Sequence, residues 1–201
     1  VTVNGVTYTA WDTSIVTYMT STFQSASAFN QPLGNWNTGL VTQMVNMFNG
    51  ASSFNQDIGS WNTGSVVGMG GIFRGATSFN QDIGGWNTSN VTTLYEAFRN
   101  ARVFNQDIGK WNTSNVLNMY GMFYDADVFN QNINTKTVTV NGVTYTAWDT
   151  GNVTNMQYML SDAFTFNQDI GKWNTSKVTN MYALLRLAAA FNQNINTKTV
   201  T

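Results

Sequence analysis

The sequence predicts an α/β solenoid. About seven coils of 25 residues, each with a short parallel strand and a short helix or turn, stack into one domain over residues 1–201. Three observations predict it. Phe-Asn-Gln recurs at Phe29, Phe54, Phe79, Phe104, Phe129, Phe166 and Phe191, at spacings of 25, 25, 25, 25, 37 and 25. A fixed period in this range marks units that stack on one another. Apolar residues also keep fixed places. With the Phe as position 1 they fall at 1, 5, 8, 13, 16, 19, 20 and 23, which are Phe54, Ile58, Trp61, Val66, Met69, Ile72, Phe73 and Ala76 in one unit. Finally, 42% of the chain is hydrophobic and only 9% charged. That is enough for a core, with solubility left to Asn, Thr, Ser, Gln and Gly.

The elements follow in order along the unit. Positions 1 to 8 (Phe, Ile, Trp) read as an extended strand-like piece with a turn at the Gly after Ile. The "NTSN" that follows offers side-chain caps for free backbone N–H groups. Positions 13, 16, 19/20 and 23 step by three and four, the spacing of a short amphipathic helix. So short a helix is not stable alone and must be held by its neighbours. One strand and one helical turn per 25 residues is the pattern of leucine-rich-repeat coils. Stacking buries the Phe, Ile, Trp, Val and Met columns. The Asn at positions 2 and 9 forms ladders that satisfy turn backbone. Nine Met, mostly at positions 16 and 19, are core packing.

The long interval carries twelve extra residues, 135–146, "TKTVTVNGVTYT". "VNGV" between alternating residues predicts a hairpin around Asn141-Gly142 in a type I′ turn. Val140 then faces Val143, and Val138 faces Tyr145. The apolar face is expected on the solenoid and the Thr face in water. Residues 1–10 and 197–201 read as truncated copies of the same hairpin. Two expectations follow: a window on a longer tandem array, or copies joined head to tail, with Thr197, Thr199, Val200 and Thr201 pairing beside Val1, Val3 and Tyr8 of the next copy. Leu187, where other units carry Gly, Asn, Ser or charge, fits an uncapped, self-associating end.

The phrase "W-N-T-S-N-V-T-x-M-x-x-M-F-x-x-A-x-x-F-N-Q-D-I-G" resembles surface-protein repeats grouped from mycoplasmas as a domain of unknown function. These are similar in turn to the leucine-rich repeats of bacterial surface antigens. The resemblance covers all but the twelve inserted residues. It implies a leucine-rich-repeat-like solenoid on a cell surface, and it carries over no catalytic residue.

Function classes narrow further. A net charge of −1 with no basic run argues against a nucleic-acid partner. No run of about 18 apolar residues predicts membrane insertion. Without Cys or His, thiolate zinc sites and the commonest general base are missing. There is a single Glu, and Asp125 and Asp127, two apart on a turn, make a poor catalytic pair. The expectation is a non-enzymatic, extracellular structural protein whose partner is itself. The alternative is an adhesin that holds a glycan or host surface protein. Its face would be Tyr95, Tyr120 and Tyr182 at position 17, Tyr158 one place on, and Tyr124 with Arg74 and Arg99 at the variable places nearby. Asp57, Asp82 and Asp107 share position 4. Calcium could bridge such a row; the plainer reading is an exposed Asp accepting from its own turn.

Overall fold

Every unit leaves half of one stretch of backbone for its neighbour to satisfy. The computed structural model describes residues 11–196 throughout, together with the backbone of Thr2–Val3 and Val6–Thr7. Tyr18, Gln43, Gly68, Thr93, Asn118, Asn155 and Asn180 form a continuous row of parallel bridges, one per unit. The bridge therefore sits at position 15, not within positions 1–8 where the strand was expected. Past it, Met44, Asn46, Phe48 and Gly50 donate to the carbonyls of Gly68, Gly70, Ile72 and Arg74 in the next unit, at 2.7–2.9 Å. Between them, Met47, Asn49 and Ala51 donate three residues back within their own unit.

This alternation explains why no helix is present among the described residues, contrary to the sequence expectation. An α-helix needs every N–H to bond four residues back. Here every second N–H is committed to the next unit. The chain bends instead through overlapping turns, every other one with a left-handed residue in its third place: Asn46 at φ 55° and Gly50 at φ 74°, then Gly71 at φ 62° and Gly75 at φ 65°. Their inner corners recur every three or four residues, so the apolar spacing looks helical. Met44, Met47, Phe48 and Ala51 are all fully buried.

The core is a set of columns. Trp36, Trp61, Trp86 and Trp111 follow at centroid separations of 6.4, 6.4 and 6.5 Å, within 8° of parallel. Phe54, Phe79, Phe104 and Phe129 repeat at 5.9, 6.0 and 6.1 Å. These separations lie in the range of favourable offset stacking. A buried indole N–H also needs an acceptor. Trp61, Trp86 and Trp111 donate to the carbonyls of Leu33, Ile58 and Ile83 one unit back, at 3.0–3.2 Å. Buried polar side chains repeat the device in the other direction. Thr63 and Thr88 donate to the carbonyls of Asn87 and Asn112 one unit on.

The Asn column at position 2 is a ladder of a specific kind. Asn55 Oδ1 accepts from the backbone N–H of Asn80 and from the Gln81 amide, at 2.9 Å each. Asn80 does the same for Asn105 and Gln106. The Asn at position 9 stays inside its own unit: Asn62 Oδ1 accepts from Gly64 N–H, closing an Asx turn.

The inserted residues form β3 (Lys136–Val140) and β4 (Val143–Ala147), paired antiparallel with Val140 opposite Val143 and Val138 opposite Tyr145. Asn141 and Gly142 both have positive φ, as a type I′ turn requires. Tyr145 OH donates to the Lys110 carbonyl and ties the hairpin down. Its apolar face is only partly covered, because Val143 beside the turn is 64% exposed. Near the start, β1 (Thr2–Val3) pairs with β2 (Val6–Thr7), setting Val3 opposite Val6.

The closeness of stacking shows at the Gly of position 6. A Cβ on Gly84 would stand 2.3 Å from the Asp107 carbonyl oxygen of the next unit, while one on Gly85 would meet nothing within 4 Å. Gly84→Ala is therefore expected to destabilise by about 1–3 kcal/mol through overpacking, and Gly85→Ala to leave stability unchanged. Urea unfolding of the pair, followed by Trp fluorescence, checks it. Trp86→Phe is expected to cost about 1–3 kcal/mol in the same assay, through the smaller ring and the lost indole bond to the Ile58 carbonyl, which keeps the Trp61 N–H.

Candidate functional site

The alternating turns point positions 17, 18 and 21 out of one side of the stack. In four successive units these places carry the chain's densest group of Tyr, Arg and Glu. Position 18 has a left-handed backbone, the conformation that suits Gly or Asn. It holds Glu96 at φ 49°, Gly121 at φ 54° and Tyr158 at φ 57°. Because Gly121 has no side chain, a gap opens between Glu96 and Tyr158. The gap is a cavity of about 240 Å³. Glu96 and Arg99 line it from one unit, Tyr120, Gly121 and Tyr124 from the next, Tyr158 from the third and Arg186 from the fourth.

Glu96 is the anchor. It is 6% exposed, and both its oxygens are paired. Arg74 approaches Oε2 at 2.9 Å, and Arg99 Nη1 donates to Oε1. Arg99 lies with its guanidinium carbon 4.8 Å from the centre of the Tyr124 ring, a cation–π distance. Its Nε is buried without a hydrogen-bond partner among the described residues. The tyrosines meet edge to face: Tyr158 stands 5.9 Å from Tyr120 and 5.3 Å from Tyr182, both at 86°. Across the gap, the half-exposed Arg186 reaches Asp162 at 3.6 Å.

The structure brings together Arg99, Tyr120, Tyr124 and Tyr158 of the expected binding face. Arg74 supports from behind through Glu96, and Tyr182 supports Tyr158. Tyr95 is not part of the group. Its ring lies against the preceding unit, where a Cβ on Gly70 would be 2.1 Å from Tyr95 Cε1. Sequence reasoning missed Glu96, Gly121 and Arg186. The usable signal was the chain's single Glu, placed three residues before Arg99 and one unit beyond Arg74.

Asp57, Asp82 and Asp107 each accept the backbone N–H of the Gly two residues on, at 2.8–2.9 Å. Among the described residues no three acidic, His or Cys side chains converge as metal ligands would, and no helix is long and apolar enough to cross a membrane.

A second candidate surface is formed by the first and last units among the described residues. Trp11 is 75% exposed, whereas Trp148, in the identical phrase "TAWDT", is fully buried under the units that flank it. Ile15 and Tyr18 are exposed beside Trp11. At the other end Met181, Tyr182 and Ile195 are exposed, and so is Leu187, held left-handed at φ 55°. Of the residues expected to join copies, Val1, Tyr8, Thr197, Thr199, Val200 and Thr201 lie outside the described residues, as does the Val3 side chain.

The chain belongs to the family described as "Mycoplasma protein of unknown function, DUF285", whose model matches residues 2–85, 59–145 and 141–201. The successive matches mark it as a tandem-repeat protein. No curated protein and no solved structure matches the chain.

Asp125 sits at the edge of the cavity group. Burial, and then the nearby Asp162 and Asp127, raise its carboxyl above the usual 3.8. For an acid raised on folding, the folded chain binds the extra proton, so the penalty is full above the folded pKa and gone below 3.8. Asp125→Asn is expected to raise the melting temperature at neutral pH, and the gain to vanish as pH falls below 3.8. Thermal melts at pH 7 and pH 3 check both halves.

Proposed function

We propose that the chain is a non-enzymatic, extracellular structural protein, a leucine-rich-repeat-like solenoid that extends by stacking further units on its ends. Those units belong to a longer tandem array or to a second copy joined head to tail. One observation carries the reading. Met156, Tyr158, Leu160 and Asp162 donate their N–H groups to the unit that follows, at 2.7–2.9 Å. The equivalent N–H groups of Met181, Ala183, Leu185 and Leu187 have no backbone acceptor among the described residues. At the opposite end, the carbonyls of Tyr18, Thr20, Thr22 and Gln24 accept from no backbone N–H among the described residues, while their equivalents one unit on, Gln43, Val45, Met47 and Asn49, each accept one.

Donors at one end and acceptors at the other have the spacing of the same repeat. The two edges are therefore complementary to each other and not to themselves. An open edge of this kind is a template for pairing. A heterologous contact that does not close builds a filament. The exposed Trp11 and Leu187 faces supply apolar area for the same joint. The cavity of Arg and Tyr favours a second reading, an adhesin face on the side of the rod, which the array would display many times.

Light scattering on purified chain is expected to give masses rising with concentration in multiples of 22.2 kDa, with rods of uniform width in electron micrographs. Trp11→Lys should hold the mass at one chain without lowering the melting temperature. A wild-type mass that stays at one chain across the concentration range rejects the head-to-tail reading.

A further inference from the structure

The cavity of Arg99, Tyr124 and Arg186 has a definable chemistry. Its only carboxylate, Glu96, is already held by two guanidiniums, so it offers little to a ligand. The remaining charged residues of the wall are Arg99 and Arg186, contributed by the first and the last of the four units that line it. Arg99 commits Nη1 to Glu96 and its Nε is closed off from solvent, which leaves its other Nη N–H groups for a ligand. Among the described residues Arg186 has only the long 3.6 Å approach to Asp162. An anionic group is what such donors recognise, and a planar carboxylate matches a guanidinium fork.

The rest of the wall is tyrosine. Tyr120 meets Tyr158 edge to face and Tyr124 meets it at 55°, so the other two lining rings are steeply inclined to Tyr158. Faces suit the C–H side of a saturated ring, and hydroxyls suit its alcohols. The volume, about 240 Å³, lies below the range of drug-sized pockets and holds a single ring. We propose that this cavity binds one carboxylate-bearing sugar residue, its acid between Arg99 and Arg186 and its ring against Tyr120, Tyr124 and Tyr158. The proposal rests on the adhesin reading and names its ligand class.

Saturation-transfer NMR on the full chain with glucuronate, glucose and benzoate tests it. Glucuronate is expected to bind, glucose to bind at least about tenfold more weakly for want of the charged hydrogen bonds, and benzoate to show no competition. Arg186→Gln should lose glucuronate about tenfold with its melting temperature unchanged; Tyr124→Leu, which keeps the fold's bulk but not the ring, should lose it as well. Tyr95→Phe, outside the cavity, should change nothing. Glucose binding as well as glucuronate overturns the acid class and leaves the glycan reading standing. Benzoate binding as well as glucuronate overturns the sugar. Binding of none of the three overturns the sugar site.

Discussion

Each unit of this chain is chemically unfinished, and the hydrogen bonds between units finish it. In the stretch after the bridge, alternate N–H groups point out of the unit and find carbonyls only one repeat away. A buried N–H without a partner costs about as much as a hydrogen bond is worth, and often more. A lone 25-residue unit would leave these groups and its apolar corners bare, so it gains little by folding alone. Two stacked units satisfy one set, and each added unit satisfies another. Stability in such a chain grows by nearest-neighbour terms.

That constraint accounts for the repeated letters. Phe, Ile and Trp hold columns whose members touch their equivalents at about 6 Å. A change in one member opens a gap in two interfaces. Asn at position 2 persists because its oxygen accepts from both a backbone N–H and a Gln amide of the next unit. Gly59, Gly84 and Gly109 hold position 6 in the middle units because a carbonyl of the next unit stands 2.3–2.7 Å from where a Cβ would be. Positions 17, 18 and 21 escape all three demands, and there the letters drift into Tyr, Arg and Glu.

The columns were legible in the sequence because a Phe or Trp recurring every 25 residues in a chain with few charges has nowhere to go but inward. The hairpin was legible because Asn-Gly between alternating residues selects one turn and hence one register. The bridge position and the absence of helix were not. Overlapping turns, every other one with a left-handed third residue, place apolar corners at the same steps of three and four that a helix does. The distinguishing sign is the small or polar residue at positions 18 and 22, such as Asn46, Gly50, Gly71 and Gly75. That sign fades where Glu96 and Tyr158 take the left-handed place. The cavity was half legible. Tyrosines and arginines at neighbouring positions marked the face, but nothing in the letters said that Tyr95 would lie down on Gly70 while Tyr120 would not.

The cavity and the complementary edges of each unit are consequences of the same rule applied in opposite directions. A perfect repeat makes every unit the mirror of its neighbour's needs, so its two ends stay complementary however long the stack grows. It also makes a featureless side, since each outward position shows the same residue. A site on the side requires a break in the repeat that the backbone tolerates. Position 18 provides one, because its left-handed conformation accepts Gly at no cost and a larger residue at a strain of about 1–2 kcal/mol. Placing Gly121 between Glu96 and Tyr158 removes one side chain from a row and leaves its neighbours to wall the space. The strain at Glu96 is offset by two guanidiniums, and that at Tyr158 by edge contacts with Tyr120 and Tyr182. The backbone under the cavity is fully committed: Glu96, Gly121 and Tyr158 donate to the next unit, and Arg99, Tyr120, Tyr124 and Arg186 within their own, so the side chains can vary over a frame that does not.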